Sequence, residues 1–327
     1  MKEFRHLSDR GPLLRSRWFF VAIAALVVVA GVIVVRWDRP ATAAAPEPAP
    51  STSAASSSAA PSSAPPSSTA PSSEAPSSEA PSSSATTPTP STAEPLSGVA
   101  APVGDEPGWR QVFVDDFSRT ELGDDWDVYS GPPGGDPYTI WDPSHVQLDG
   151  DSLLLAGFQE DGQWVTGGVS NWPVAQTYGR WEVRFRAMAS DEITYHFLLW
   201  PQSENWPPEI DFLEDFSGDR SQASGFVHYI QDGRRQKVQK DVEADFNQWH
   251  TAGVIWEPER VTFTLDGEPW GIISGDMVPD EPMWLALQQQ AGGCQRSADY
   301  GYPFCPVAGV PDEAWVQIDW VSVYAPA

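Results

Sequence analysis

Cations are scarce in most of this chain. It has 327 residues, 45 of them acidic and 19 basic, and from residue 105 onward the balance is 38 acidic to 12 basic. A surface that acidic repels nucleic acid and anionic lipid, and it is compatible with a neutral ligand. The five histidines lack the spacing of zinc ligands, and no glycine-rich loop of the phosphate-cradling kind is present. These absences argue against a nucleic-acid-binding protein, a nucleotide enzyme and a zinc enzyme. Cysteine is limited to Cys294 and Cys305, separated by a Gly/Pro-rich stretch. In an oxidising compartment the pair would close a disulfide; two free thiols are the alternative.

Composition divides the chain into unlike parts. Residues 1–17 are basic, and Trp18 to Val35 is an unbroken apolar run just long enough to span a bilayer as a helix. Lys2, Arg5, Arg10, Arg15 and Arg17 precede the run, so the reading is a signal-anchor with its N-terminus cytoplasmic and the rest outside. A cleaved signal peptide, giving a secreted protein, is the competing reading, because Ala41-Thr42-Ala43 and Ala43-Ala44-Ala45 offer small-residue sites. Residues 36–104 are Ser/Pro/Ala-rich with almost no large apolar side chains. They cannot offset the entropy of folding and read as a disordered linker.

Residues 105–327 read as one globular domain. Beyond residue 110, short alternating or β-rich runs are bounded by Gly, Pro, Asp and Asn: Val112–Phe117, Ser152–Phe158, Arg180–Met188, Thr194–Trp200, Ile210–Phe216, Gly225–Ile230, Thr251–Trp256, Arg260–Leu265, Met283–Gln288 and Val316–Tyr324. Asp266-Gly267 between two runs is a hairpin signal. No long amphipathic helical pattern is found. The fold class predicted is all-β, two antiparallel sheets packed as a β-jelly-roll sandwich. Of the 16 tryptophans, 14 fall in this domain, more than a core of this size needs. Some can be core rings, and others can line a groove where an indole face meets the C–H face of a sugar.

The most informative stretch is Glu209-Ile210-Asp211-Phe212-Leu213-Glu214. In a strand Glu209 and Asp211 share one face while Ile210 and Phe212 turn to the core. Glu214 has the wrong parity, which a β-bulge in the Phe212–Leu213 region would restore. The two glutamates could then bring their carboxyls to about 5–6 Å, near the spacing of a retaining glycosidase. Three clustered acids repel one another, so at least one should hold its proton to higher pH, as a general acid needs. The plainer reading is a solvated acidic edge or a calcium site.

The order of motifs across residues 112–324 resembles glycoside hydrolase family 16. They include Phe113-Val114-Asp115-Asp116-Phe117, Tyr178-Gly179-Arg180-Trp181-Glu182, Trp206-Pro207-Pro208-Glu209-Ile210-Asp211, Trp249-His250-Thr251-Ala252 and Ile318-Asp319-Trp320-Val321-Ser322-Val323-Tyr324. The resemblance implies a concanavalin A-like jelly roll with Glu209 as nucleophile, Asp211 as assisting acid and Glu214 as general acid/base. The bulged form resembles the laminarinase-like branch, implying endo-cleavage of β-1,3-glucan. Trp200, Trp206, His228 and Gln288 stand where members contact substrate, though each has a structural alternative. Asp319 matches a calcium position of some members; no cofactor is implied for catalysis. Two positions depart from the pattern: Pro208 replaces a usual Gly, and His196 stands in a stretch usually richer in Trp and Ala. The same carboxylates would serve a transglycosylase or a galactan hydrolase, and a catalytically silent carbohydrate-binding domain is the non-enzymatic alternative. The partners expected are a polysaccharide and, through residues 18–35, the membrane; the chain is expected to be a monomer.

Overall fold

A computed structural model of the chain describes residues 95–134, 136–301 and 305–327. The apolar run 18–35 and the linker up to residue 94 lie outside them. Among the described residues no helix is long and apolar enough to cross a membrane.

The strands follow in chain order: β1 (Trp109–Asp115), β2 (Asp127–Val128), β3 (Ile140–Trp141), β4 (Val146–Leu148), β5 (Leu153–Glu160) and β6 (Gln163–Thr166). Then come β7 (Gly168–Ser170), β8 (Gly179–Ala187), β9 (Thr194–Pro201), β10 (Glu209–Asp215), β11 (Gln222–Gln231) and β12 (Arg234–Glu243). Next are β13 (His250–Glu257), β14 (Arg260–Leu265), β15 (Glu268–Ser274), β16 (Met283–Gln290), a helix α1 (Gly293–Tyr300) and β17 (Glu313–Pro326). Each of the ten predicted runs overlaps a strand. The larger sheet has the order β15-β14-β13-β8-β17-β5-β6-β3, with β1 on β17 and β4 on β5. The smaller has the order β12-β11-β10-β9-β16-β7-β2. Pairing is antiparallel throughout except for β3 with β6.

Period-two alternation makes this a sandwich. One side chain in two along β8, β9, β10, β13 and β17 enters a shared core in which Trp181, Phe185, Phe197, Ile210, Phe212 and Trp256 are fully buried. Trp256 also donates Nε1–H to the carbonyl of Pro279 at 3.0 Å, so its polar atom is satisfied inside. Burying rings of this size contributes on the order of 2–3 kcal/mol each before entropy is counted. Asp266 and Gly267 both have positive φ, 51° and 83°, as a two-residue hairpin turn between β14 and β15 requires.

The packed body starts upstream of the expected boundary at residue 105. Ser97 N–H donates to Asp319, Arg184 reaches the Ser97 carbonyl, and Trp320 Nε1–H donates to the Val99 carbonyl. Arg184 Nε–H also donates to Ser97 Oγ, Gly104 N–H to Gln111 Oε1 and Gln111 Nε2–H to the Pro102 carbonyl, so the segment is tied on by bonds that composition does not reveal. Cys294 and Cys305 are joined, tying α1 to the segment before β17. Asp191, buried at the same corner, accepts the backbone N–H groups of Val307, Ala308 and Gly309.

Candidate active site

The site is built on the face of the smaller sheet that turns away from the core. Along β10 the register slips between Asp211 and Glu214 against β11, and between Asp211 and Leu213 against β9. This is the bulge that the parity of Glu214 demands. Ile210, Phe212 and Leu213 enter the core, while Glu209, Asp211 and Glu214 share the opposite face. Across from them, β11 places His228 opposite Glu209, Phe226 opposite Asp211 and Ser224 opposite Glu214. On the other side β9 places Leu198 opposite Asp211 and His196 opposite Glu214. One strand further, β16 sets Trp284, Ala286 and Gln288 opposite Trp200, Leu198 and His196.

Each acid has its own partner. Trp206 donates Nε1–H to Glu209 Oε2 at 2.6 Å. Asp211 shares the face of β10 with Glu209, close enough for the charge of each to act on the other. His228 Nε2 stands 3.1 Å from Asp211 Oδ2 but off the hydrogen-bond direction, so Oδ2 has no hydrogen-bond partner. Glu214 Oε1 meets His196 Nδ1 at 2.6 Å. Burial pushes the Glu209 carboxyl well above the ordinary glutamate range, and the charge of Asp211 adds to it. Asp211 is likewise pushed far up, by burial and then by Glu214. The charges of the three acids act on one another, so their protons leave in linked steps. Glu214 behaves differently: burial pushes it up, but the charge and hydrogen bond of His196, with His228 and Lys237 nearby, outweigh burial and hold it below the usual value. These directions favour a retained proton on the Glu209 and Asp211 side of the cluster and not on Glu214, the residue expected to be the acid.

The four expected substrate contacts all map near this face. Trp206 bonds Glu209 directly and stacks at 5.6 Å, tilted, against His228. Trp200 belongs to a satellite cluster with Leu198, Trp284 and Tyr129, and its Nε1–H reaches Glu204. Gln288 is buried opposite His196. Asp319 lies elsewhere, on β17 of the other sheet. Its carboxylate accepts Ser97 N–H and feels the Arg184 charge. Sequence reading missed the contact of His196 with Glu214, whose only signal was an imidazole at a site-facing position of β9. It also missed Arg235 over Trp206 and Lys237 over Phe226, at 4.6 and 4.4 Å from the ring centroids.

A β-sandwich presenting clustered carboxylates beside half-buried tryptophans defines the glycosidase class of site. The model of the family described as Glycosyl hydrolases family 16 matches residues 136–321, and the chain belongs to that family. Among curated proteins it is 29% identical over 154 residues to endo-1,3-1,4-beta-glycanase ExsH of Rhizobium meliloti (strain 1021), covering 46% of this chain and 31% of that one. It is 27% identical over 155 residues to endo-1,3-1,4-beta-glycanase EglC of the same organism, with the same coverage, 46% and 31%. The chain thus spans about a third of the length of the curated relatives it matches. Its fold is similar to that of SCLam, a non-specific endo-beta-1,3(4)-glucanase, with a TM-score of 0.58 at 19% identity over 69% of this chain and 94% of that one. It is also similar to the catalytic domain of an endo-1,3-beta-glucanase (laminarinase) from Thermotoga petrophila RKU-1, with a TM-score of 0.55 at 19% identity over 68% and 99%.

Proposed function

We propose that the chain is a retaining, endo-acting glycoside hydrolase of an extracellular β-glycan, with β-1,3-glucan as the first substrate to test. The observation that carries the reading is the β10 bulge, which puts Glu209, Asp211 and Glu214 on one face. The activities of the endo-1,3-1,4-beta-glycanase relatives suggest the substrate class. Glu209 is the nucleophile: its oxygen bonds the anomeric carbon as the glycosidic C–O bond breaks, and Glu214 passes a proton to the departing oxygen. In the second step Glu214 takes a proton from water, whose oxygen displaces Glu209. Glu209 has to react as an anion, which the Trp206 N–H bond favours and which burial and the Asp211 charge oppose. No cofactor is needed for these steps. Residues 18–35 are proposed to anchor the chain with the domain outside; mature protein starting near Ala44 would refute the anchor.

Proton NMR of the first product from β-1,3-glucan tests the mechanism. A newly released end of retained configuration is expected, and an inverted end rules out these roles. Glu209→Ala should abolish turnover without unfolding, and azide should then yield an inverted glycosyl azide. Glu214→Ala should spare activated aryl glycosides most, because a good leaving group needs little proton help. Binding of glucan with no product from any β-glucan or galactan would favour a carbohydrate-binding domain instead.

A further inference from the structure

His196 is buried, 3% exposed, and its ring is edge-on to Phe216 with centroids 5.4 Å apart. Both ring nitrogens are engaged. Nε2 lies 2.8 Å from Thr194 Oγ1, and Thr194 donates its single hydroxyl hydrogen to the carbonyl of Gln290 at 3.2 Å. Toward the imidazole Thr194 therefore accepts, so Nε2 carries a hydrogen. Nδ1 then faces Glu214 Oε1 at 2.6 Å, a separation that two lone pairs cannot share, so a proton lies between them. With Nε2–H fixed, that proton makes either an imidazolium facing a carboxylate or an imidazole facing a carboxylic acid.

We propose that His196 is a positioning residue for Glu214: it commits Oε1, leaves Oε2 as the oxygen that exchanges protons with substrate and water, and tips Glu214 toward its base form. The inference rests on the acid/base role proposed above. In the first step the proton on Oε2 moves to the glycosidic oxygen as the Glu209–carbon bond forms and the glycosidic bond breaks. In the second, Oε2 regains a proton from the attacking water as the Glu209–carbon bond breaks. The Nδ1 proton stays in place through both, so a donating Glu214 faces an imidazolium and gives up its proton readily. The other ionisable groups around Glu214 are Glu209 and Asp211 on its own strand, His228 on β11 and Lys237 on β12. Asp241 on β12 lies beyond Ser224 and is bonded to it. Glu209 and Asp211 push against ionisation of Glu214, His228 and Lys237 favour it, and His196 favours it through both its charge and its hydrogen bond.

The test is carboxyl carbon-13 NMR of Glu214, assigned by its loss in Glu214→Gln. In the unmodified chain its midpoint should lie below the ordinary glutamate range. In His196→Asn, which keeps a donor but loses the charge, it should rise by about one pH unit, the tenfold worth of a charge-assisted bond. His196→Leu should raise it further, and Thr194→Val, which leaves Nε2–H without its acceptor, should act in the same direction and covers a Leu variant that fails to fold. The kinetic counterpart is the kcat/KM profile on β-glucan. Its alkaline arm should rise relative to its acid arm by the factor found in the titration. A midpoint that stays put in all three variants overturns the inference, and uniform loss of activity with unmoved arms marks His196 as merely structural. A midpoint that moves in a chain inert on every glucan would sink the hydrolase reading and leave the His196–Glu214 coupling standing.

Discussion

Replacing Trp206 with Phe isolates one bond on the nucleophile. The indole N–H reaches Glu209 Oε2 at 2.6 Å, and Glu209 is about nine-tenths buried, so water cannot easily substitute for the lost donor. A hydrogen bond to a buried charged group is worth about 1.5–3 kcal/mol. The bond favours the ionised carboxylate, so its loss raises the pH at which the Glu209–Asp211 pair gives up its first proton. At 1.36 kcal/mol per pH unit the shift is roughly one to two units. Phe keeps an aromatic ring beside His228, so stacking losses are small by comparison.

Below the pH optimum, kcat/KM is proportional to the fraction of enzyme with Glu209 ionised. Above it, the limiting quantity is the fraction with Glu214 protonated, which Trp206 touches only indirectly. The acid arm of the profile on β-1,3-glucan should therefore fall about 10- to 100-fold relative to the alkaline arm. The assay is reducing-end release at saturating and sub-saturating glucan across the pH range, with a thermal melt to confirm folding. Equal losses on both arms, or a higher KM with arms unmoved, would show that Trp206 serves as a sugar platform and does not tune Glu209.

Asp211→Asn should lower activity yet stabilise the fold at neutral pH. The folded value of Asp211 is raised by burial and then by Glu214, so its contribution is present below the unfolded value and lost as pH rises through the folded one. The gain in Tm over the unmodified chain should therefore widen from acid to neutral pH; a gap that narrows would contradict the assigned direction. Replacing both Cys294 and Cys305 with Ser opens a loop spanning a sequence separation of 11 residues, at a cost of about 2–3 kcal/mol. A fall in Tm of roughly 5–10 °C is expected for a domain of this size; an unchanged melt would show that the loop contributes nothing to the folded state.

What could be read in advance follows from how far each feature depends on local pattern. Ile210 and Phe212 alternating with Glu209 and Asp211 reveal a strand with one wet face, and the count to Glu214 reveals a bulge, because both are statements about parity. The hairpin at Asp266-Gly267 is equally local, since both residues must take positive φ. Strand β12 escaped notice because Arg234 to Glu243 has only Val238 and Val242 as apolar residues, and its place comes from pairing with β11. The pairing of His196 with Glu214 was illegible for a stronger reason. It depends on the register between β9 and β10, which the bulge shifts by one residue, and no periodicity within either strand encodes that offset. The site inherits its electrostatics from the same shift. Without the extra residue Glu214 would turn into the core and His196 would face a leucine. With it, the acid expected to give up a proton meets an imidazole hydrogen-bonded to it that favours its ionised form.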